Sequence, residues 1–175
     1  NRERFVSEQP PYSILVRGIE ADVLPVCQQY GLGVLTWSPL AGGWLSGRYR
    51  KDQDVPASHR AERLPQRYDM TLPGNQRKLD AADRLARLAE EIDVPLVHFA
   101  LAFVLQHPAV TSVIIGPRTM EQLDSQLPAV DLALSDEILD RIDEIVPPGT
   151  NLHPADAGWQ HPALSTPRLR RRPGR

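Results

Sequence analysis

Cysteine occurs once, at position 27, so no disulfide can form within the chain and a reducing compartment is the simple reading. Val23 and Leu24 lie one helical turn before Cys27, which makes it a packed residue, not a nucleophile. Long hydrophobic runs are missing too. The longest, Val94 to Leu105, is about 12 residues, contains His98, and falls short of the ~20 needed to span a bilayer. Neither sign of charge dominates: a net charge of −2 argues against a nucleic-acid binder. The one basic cluster, Arg168-Leu-Arg-Arg-Arg-Pro-Gly-Arg175, sits at the extreme C-terminus and reads as solvated tail. The first residues, Asn-Arg-Glu-Arg, are not those of a secretory leader, and a cytoplasmic location is expected. Motifs of the HExxH, CxxC and GxSxG types are absent and the histidines are scattered, so metal and serine-hydrolase chemistry have no support. His98 lies in an apolar stretch and is expected to be a satisfied core residue.

What is present suffices for one globular domain. With 175 residues, 41% of them hydrophobic, the chain can bury a sizeable core. A short strand is expected over Arg4–Gln9, stopped by Pro10-Pro11, and a helix over Glu20–Tyr30, ended by Gly31. Pro25 fits that helix if its regular part begins there, with proline at the first position. A second strand covers Gly33–Ser38. From Arg48 to Gly74 the residues are polar, with Pro56, Pro65 and Pro73 and no sustained period, the pattern of a lid or binding loop. Asn75 is expected to cap a helix whose apolar stripe is Leu79, Ala82, Leu85, Leu88, Ala89 and Ile92, its other face charged. Pro95 opens a buried helix, Leu96–Gln106. The third strand is Val110–Ile115, apolar as a strand buried on both faces should be, and the helix Thr119–Leu127 follows. Ser135 caps the last helix, and residues 151–175 form a Pro/Arg-rich tail after the domain of residues 1–150.

Strands alternating with helices indicate an α/β fold built from parallel β/α units. Three strands in an open sheet leave two raw edges, and a closed barrel needs about 250 residues, so the chain is expected to be a piece of something larger. The chain also lacks an initiator methionine, so either processing has removed something or it is part of a longer protein.

Two segments carry candidate chemistry. In Ser112-Val-Ile-Ile-Gly-Pro-Arg-Thr-Met-Glu-Gln-Leu123, Thr119 and Gln122 have capping-box spacing, so a helix begins just after Arg118. Gly116 lets a ligand approach the backbone, and Arg118 can fork two donors onto a phosphate. A plain strand-to-helix turn with a solvated arginine uses the same residues. In Thr36-Trp-Ser-Pro-Leu-Ala-Gly-Gly43, Trp37 can stack on an aromatic ring, Ser38 can bond a phosphate or amide, and Gly42 and Gly43 can wrap a cofactor. A core tryptophan beside a glycine-softened loop is the alternative. Arg48, Arg50 and Arg60 either close over a pyrophosphate or are solvated.

Taken in order, these segments resemble the aldo-keto reductases. Ser7-Glu-Gln-Pro-Pro-Tyr-Ser13 is similar to their sixth barrel strand, Gly33–Tyr49 to the seventh strand and its loop, and Val113–Leu123 to the eighth strand with the adenosine 2′-phosphate site. The resemblance covers about residues 4–148, and the tail from Asn151 is similar to extensions in some bacterial members. It implies the C-terminal half of a (β/α)8 TIM barrel, with the N-terminal half absent from this chain. The implied activity is NADP-dependent reduction of an aldehyde or ketone, with no nucleic-acid or membrane partner. Carried over by motif, Gln9 would bond the nicotinamide carboxamide and Trp37 would stack on its ring. Ser38, Leu40 and Gly42 would line the pyrophosphate, with Arg48 and Arg60 as basic residues of the clasping loop. Gly116, Arg118, Thr119, Gln122 and Gln126 would hold the adenosine end. Members often carry Glu then Asn where this chain has Ser125 then Gln126, a departure that bears on NADPH over NADH preference. The family's catalytic Asp, Tyr, Lys and His belong to the first half of the barrel, and Tyr12, Tyr30, Tyr49 and Tyr68 match none of that motif, so no catalytic residue is assigned here. A truncated, non-catalytic nucleotide-binding or interaction fragment is the alternative function. A small doubly wound nucleotide binder would need a glycine-rich fingerprint after the first strand, where this chain has Pro-Pro-Tyr-Ser.

Overall fold

The computed structural model describes residues 3–54 and 59–172, except the side chain of His59. Residues 1–2, Pro56 of the loop and the last three residues of the basic cluster, 173–175, lie outside them. Three parallel strands form one sheet in the order β1 (Ser7–Glu8), β2 (Gly33–Trp37), β3 (Ser112–Ile114). Ser7 pairs with Gly33, and Thr36 and Trp37 pair with Val113 and Ile114. β2 is central, and its Val34 and Thr36 are fully buried.

The outer edges of β1 and β3 have no partner strand among the described residues. This explains two differences from expectation. β1 shrinks to two residues, leaving Phe5 and Val6 91% and 78% exposed. β3 is not buried on both faces: Ile114 is 40% exposed, because nothing packs outside it.

Helix α1 (Val23–Tyr30) starts two residues before Pro25, which sits in the first turn where its missing N–H costs nothing. The Asp22 carboxylate accepts from the Val23 amide at 2.6 Å, and Gly31 ends the helix at φ 66°. The polar loop holds a short helix α2 (His59–Arg63) and a 3₁₀ turn, Pro65–Arg67. Aromatic anchors pin it: Tyr49 and Tyr68 are buried and pack with Trp44, ring centroids 4.3 and 5.7 Å from the indole. Burying each of these rings contributes roughly 2 kcal/mol.

Helix α3 (Pro73–Glu91) begins at Pro73, not at Asn75. Proline at the first position presets the helical φ, and Asn75 instead turns inward, its Nδ2 donating to the carbonyls of Gln66 and Asp69 at 3.0 and 2.8 Å. Its predicted stripe is the buried face, but Lys78 and Asp83 are buried as well, at 1% and 3% exposure. Helix α4 (Leu96–Gln106) lies between α3 and β3, apolar nearly all round as expected. His98 is only half-buried, and its Nε2 bonds the Ser125 carbonyl. Helices α5 (Met120–Gln126) and α6 (Asp136–Ile145) follow.

A buried cation ties the segment before α1 to α6. Arg17, 5% exposed, donates to Glu20 at 2.8 Å, to Asp143 at 2.6 Å and to the Val146 carbonyl at 2.7 Å. No helix among the described residues is long and apolar enough to cross a membrane.

Candidate functional site

Strand pairing brings two of the expected residues, Gln9 and Trp37, together at the carboxyl ends of β1 and β2. Trp37 ends β2 opposite Ile114, and on its other side it bridges to Pro11. Its amide donates to the Pro10 carbonyl and its carbonyl accepts from the Tyr12 amide, both at 3.1 Å. The indole Nε1 donates to the Gln9 carbonyl at 3.1 Å. Gln9 and Trp37 are therefore neighbours, and the plane of the indole is fixed. Behind it sits Gly158, where a Cβ would lie 3.4 Å from Pro11 Cγ and 4.0 Å from Trp37 Cζ2.

The chain turns sharply after Trp37. Ser38 and Ala41 hold φ of 59° and 49°, and Gly42 and Gly43 follow at 73° and 105°. L-residues in that region cost about 1 kcal/mol each, and such strain clusters at functional sites. The turn is closed by Ala41 N–H donating to Ser38 at 2.9 Å and Gly43 N–H to Leu40 at 2.8 Å. Leu40 packs against the core and anchors it. A Cβ on Gly42 would stand 2.8 Å from the Tyr68 hydroxyl and force it aside. The Arg60 guanidinium lies beside the same point, 3.7 Å from that Cβ position.

The other two loop arginines differ. Arg48 is exposed, its Nε donating to Ser46 Oγ at 3.4 Å. Arg50 is withdrawn from any phosphate role: it donates to Asp83 at 3.0 Å and Glu90 at 2.6 Å, tying the loop to α3. Asp83 also accepts from Arg87 at 3.0 Å. Burial would raise its pKa, but these partners hold it below the usual carboxylate range.

On the third strand, Gly116, Arg118 and Thr119 are exposed, and nothing lies within 4 Å of a Cβ on Gly116. The N-cap half of the expected box forms, the Gln122 amide donating to Thr119 Oγ1 at 3.3 Å. Gln122 Oε1, however, accepts from the Arg118 amide at 2.8 Å and not from that of the N-cap Thr119. Gln122 thus stiffens the Arg118 backbone. Gln126 closes α5, half-buried.

Trp37, Ser38 and Gly42 line a cavity of about 20 Å³ together with Tyr12, Trp44, Tyr68 and Asp156. That is room for one water molecule. Arg118 does not line this cavity; it is exposed on the segment that follows β3. A second hollow, of about 390 Å³, is bordered by Glu8, Asp22, Val23, Val26, Cys27 and Leu32, with acids and no cation to meet a phosphate. Burial raises the Cys27 thiol, which matches a packed role.

Sequence reasoning missed Lys78, Asp156 and Tyr68. Lys78 Nζ donates to Asp156 Oδ2 at 2.8 Å and to the Arg67 carbonyl at 2.9 Å, and it stands 4.8 Å from the ring centroid of Trp44. Burial lowers its pKa, against which Asp156 acts. Tyr68 donates its hydroxyl to the Gly42 carbonyl at 2.8 Å. A signal existed: Lys78 precedes Ala82 and Leu85 at helical spacing, on the apolar stripe of α3. Neither the Tyr12 nor the Tyr68 hydroxyl is tuned for proton transfer near neutrality. Burial and a 2.6 Å bond to Glu20 push Tyr12 far above its ordinary value, and burial raises Tyr68 to about 12.

Residues 2–147 match the profile of the Aldo/keto reductase family. The chain is 38% identical over 155 residues to the uncharacterized oxidoreductase YrpG of Bacillus subtilis (strain 168), covering 89% of this chain and 44% of that protein. It is 34% identical over 146 residues to a putative voltage-gated potassium channel subunit beta of Schizosaccharomyces pombe, covering 81% and 42%. A solved glycerol dehydrogenase from Gluconobacter oxydans superposes with a TM-score of 0.65 at 28% identity, covering 78% of this chain and 41% of that one. The chain spans less than half the length of these relatives, and its three parallel strands and helices match part of the solved structure.

Proposed function

The chain belongs to the aldo/keto reductase family, and on that premise we propose that it forms the cofactor-holding, C-terminal part of a (β/α)8 barrel whose complete polypeptide reduces small aldehydes or ketones with NADPH. The observation that carries the reading is the register of the rim: Gln9, Trp37 and Ile114 stand side by side at the carboxyl ends of three parallel strands, where barrel enzymes build their sites.

The residues fit a dinucleotide. The fixed indole of Trp37 offers a flat apolar face beside Gln9 for the nicotinamide end. The left-handed turn from Ser38 to Gly43 lets backbone approach a pyrophosphate, with Arg60 beside it and Arg48 exposed nearby in sequence. Arg118, on a backbone held by Gln122, offers two parallel donors to a 2′-phosphate, with Thr119 and Gln126 at the adenosine end. The cofactor, when bound, supplies the hydride. The proton donor is assigned to polypeptide outside these residues, because the buried tyrosine hydroxyls are committed to Glu20 and Gly42 or lie within the aromatic stack. The lone buried Cys27 is consistent with a cytoplasmic protein.

Titration of NADPH and NADH into the full-length protein, followed by tryptophan fluorescence, tests the reading. Saturable binding with NADPH preferred is expected, and no saturable binding of either would overturn it. The 175-residue chain alone is expected to show no carbonyl-dependent NADPH oxidation. A non-catalytic interaction module is the second reading, favoured by the resemblance to proteins named as channel β subunits.

A further inference from the structure

The first part of the C-terminal segment is not free surface. Asn151 bridges to Val16, its Oδ1 accepts from the Gly18 amide at 2.9 Å, and the Leu152 amide donates to the Leu15 carbonyl at 3.1 Å. Arg77 then holds the Leu152 carbonyl at 2.9 Å and Arg67 the Ala155 carbonyl at 2.8 Å. Gly74 at the start of α3 makes room for the His153 ring, which a Cβ would meet at 2.5 Å. The run ends on Asp156, whose carboxylate receives the Lys78 ammonium at 2.8 Å and Arg67 Nε at 3.4 Å.

Lys78 is fully buried, and on its other side are the faces of Trp44 and Tyr68, at 4.8 and 5.8 Å. These two rings stack with an interplanar angle of 7°. Tyr68 continues the line, donating to the Gly42 carbonyl inside the strained turn. A continuous series of contacts therefore runs from Asp156 through Lys78 and Tyr68 to Gly42.

We propose that Lys78 and Asp156 are positioning residues: the C-terminal segment latches the lysine over the Trp44–Tyr68 stack and so holds the Ser38–Gly43 turn in the shape that a dinucleotide pyrophosphate meets. The proposal rests on the cofactor reading above for its ligand, though not for its geometry. The ion pair selects one arrangement of the aromatic stack. A cation held against both ring faces and a carboxylate cannot follow the rings if they tilt, so the Tyr68 hydroxyl stays on Gly42. An unlatched segment frees the lysine, and the turn loses the bond that opposes its backbone strain.

The test uses the full-length protein with Asp156→Asn, Asp156→Glu and Tyr68→Phe. Hydrogen–deuterium exchange of the amides of residues 41–46 should quicken in Asp156→Asn and Tyr68→Phe and recover in Asp156→Glu. The NADPH dissociation constant should rise about tenfold in the first two, the cost of one lost hydrogen bond. Unchanged exchange at 41–46 in both, or lowered melting temperature with unchanged NADPH affinity, overturns the latch. Tyr68→Phe leaves every charge paired and tests the Gly42 end of the series, so unchanged exchange at 41–46 in it alone overturns the latch even if Asp156→Asn fails to fold. Wild-type protein that binds no NADPH would sink the cofactor reading alone, with exchange at 41–46 still deciding whether the latch exists.

Discussion

The indole of Trp37 is tethered to the backbone of Gln9, Nε1 to carbonyl oxygen at 3.1 Å, across the open mouth of two parallel strands. The tether sets the tilt of the ring that would face a nicotinamide. Trp37→Phe keeps an aromatic face but loses the tether, so NADPH affinity of the full-length protein should fall several-fold, and Trp37→Leu further. Equilibrium titration checks both. A tryptophan that serves only the core would lower the melting temperature and leave affinity unmoved.

Arg118 is separable from the remainder of the rim. Its guanidinium is exposed while its amide is fixed by Gln122. Arg118→Ala should raise the Michaelis constant for NADPH by about tenfold or more and leave that for NADH nearly unchanged, since charge-assisted pairs to phosphate are worth roughly 1.5–3 kcal/mol. Equal effects on the two cofactors would remove the 2′-phosphate role.

Gly42 and Gly31 share a left-handed backbone, φ 73° and 66°, but only Gly42 is crowded, with the Tyr68 hydroxyl 2.8 Å from a new Cβ. Gly31→Ala should cost about 1 kcal/mol from conformation alone. Gly42→Ala should cost roughly 1–2 kcal/mol more, by displacing Tyr68. Urea denaturation of the two variants gives the difference directly.

His107 provides a pH dependence. Burial lowers its pKa below 6.5, with Glu20 pulling upward and Arg17 downward, and its Nδ1 accepts from the Ala109 amide at 3.2 Å while its ring meets Tyr12 edge-on. The unfolded chain therefore binds the proton more readily, so stability is full above pH 6.5 and falls as pH drops through that value toward the lower folded pKa. His107→Asn keeps an acceptor for Ala109 and removes the proton. Its melting temperature should vary less than wild type between about pH 7 and 5.

How much of this was legible depends on where each residue finds its partners. The segments around Trp37 and Ile114 could be read as strands because their partners are each other and their side chains are β-branched or aromatic. The capping of α5 was legible because Thr119 and Gln122 lie three apart. Asn75 was misread as a cap because its amide is satisfied by Gln66 and Asp69, in a loop with no period. Lys78 went unremarked because its carboxylate partner lies 78 residues away, in a segment whose composition suggests a tail. Arg50 resembled a phosphate ligand until its two acids on α3 were seen. Local chemistry shows in a sequence, whereas a buried charge declares itself only when its distant counter-ion is in place.

The unpaired borders of β1 and β3 carry a practical consequence. Phe5, Val6 and Ile114 stand exposed at sheet edges that have no partner strand among the described residues, which is a template for another strand. A solution of these 175 residues by themselves would then melt at a temperature that depends on protein concentration, because self-association joins the folding equilibrium. Any comparison of variants in that form has to be made at matched dilution.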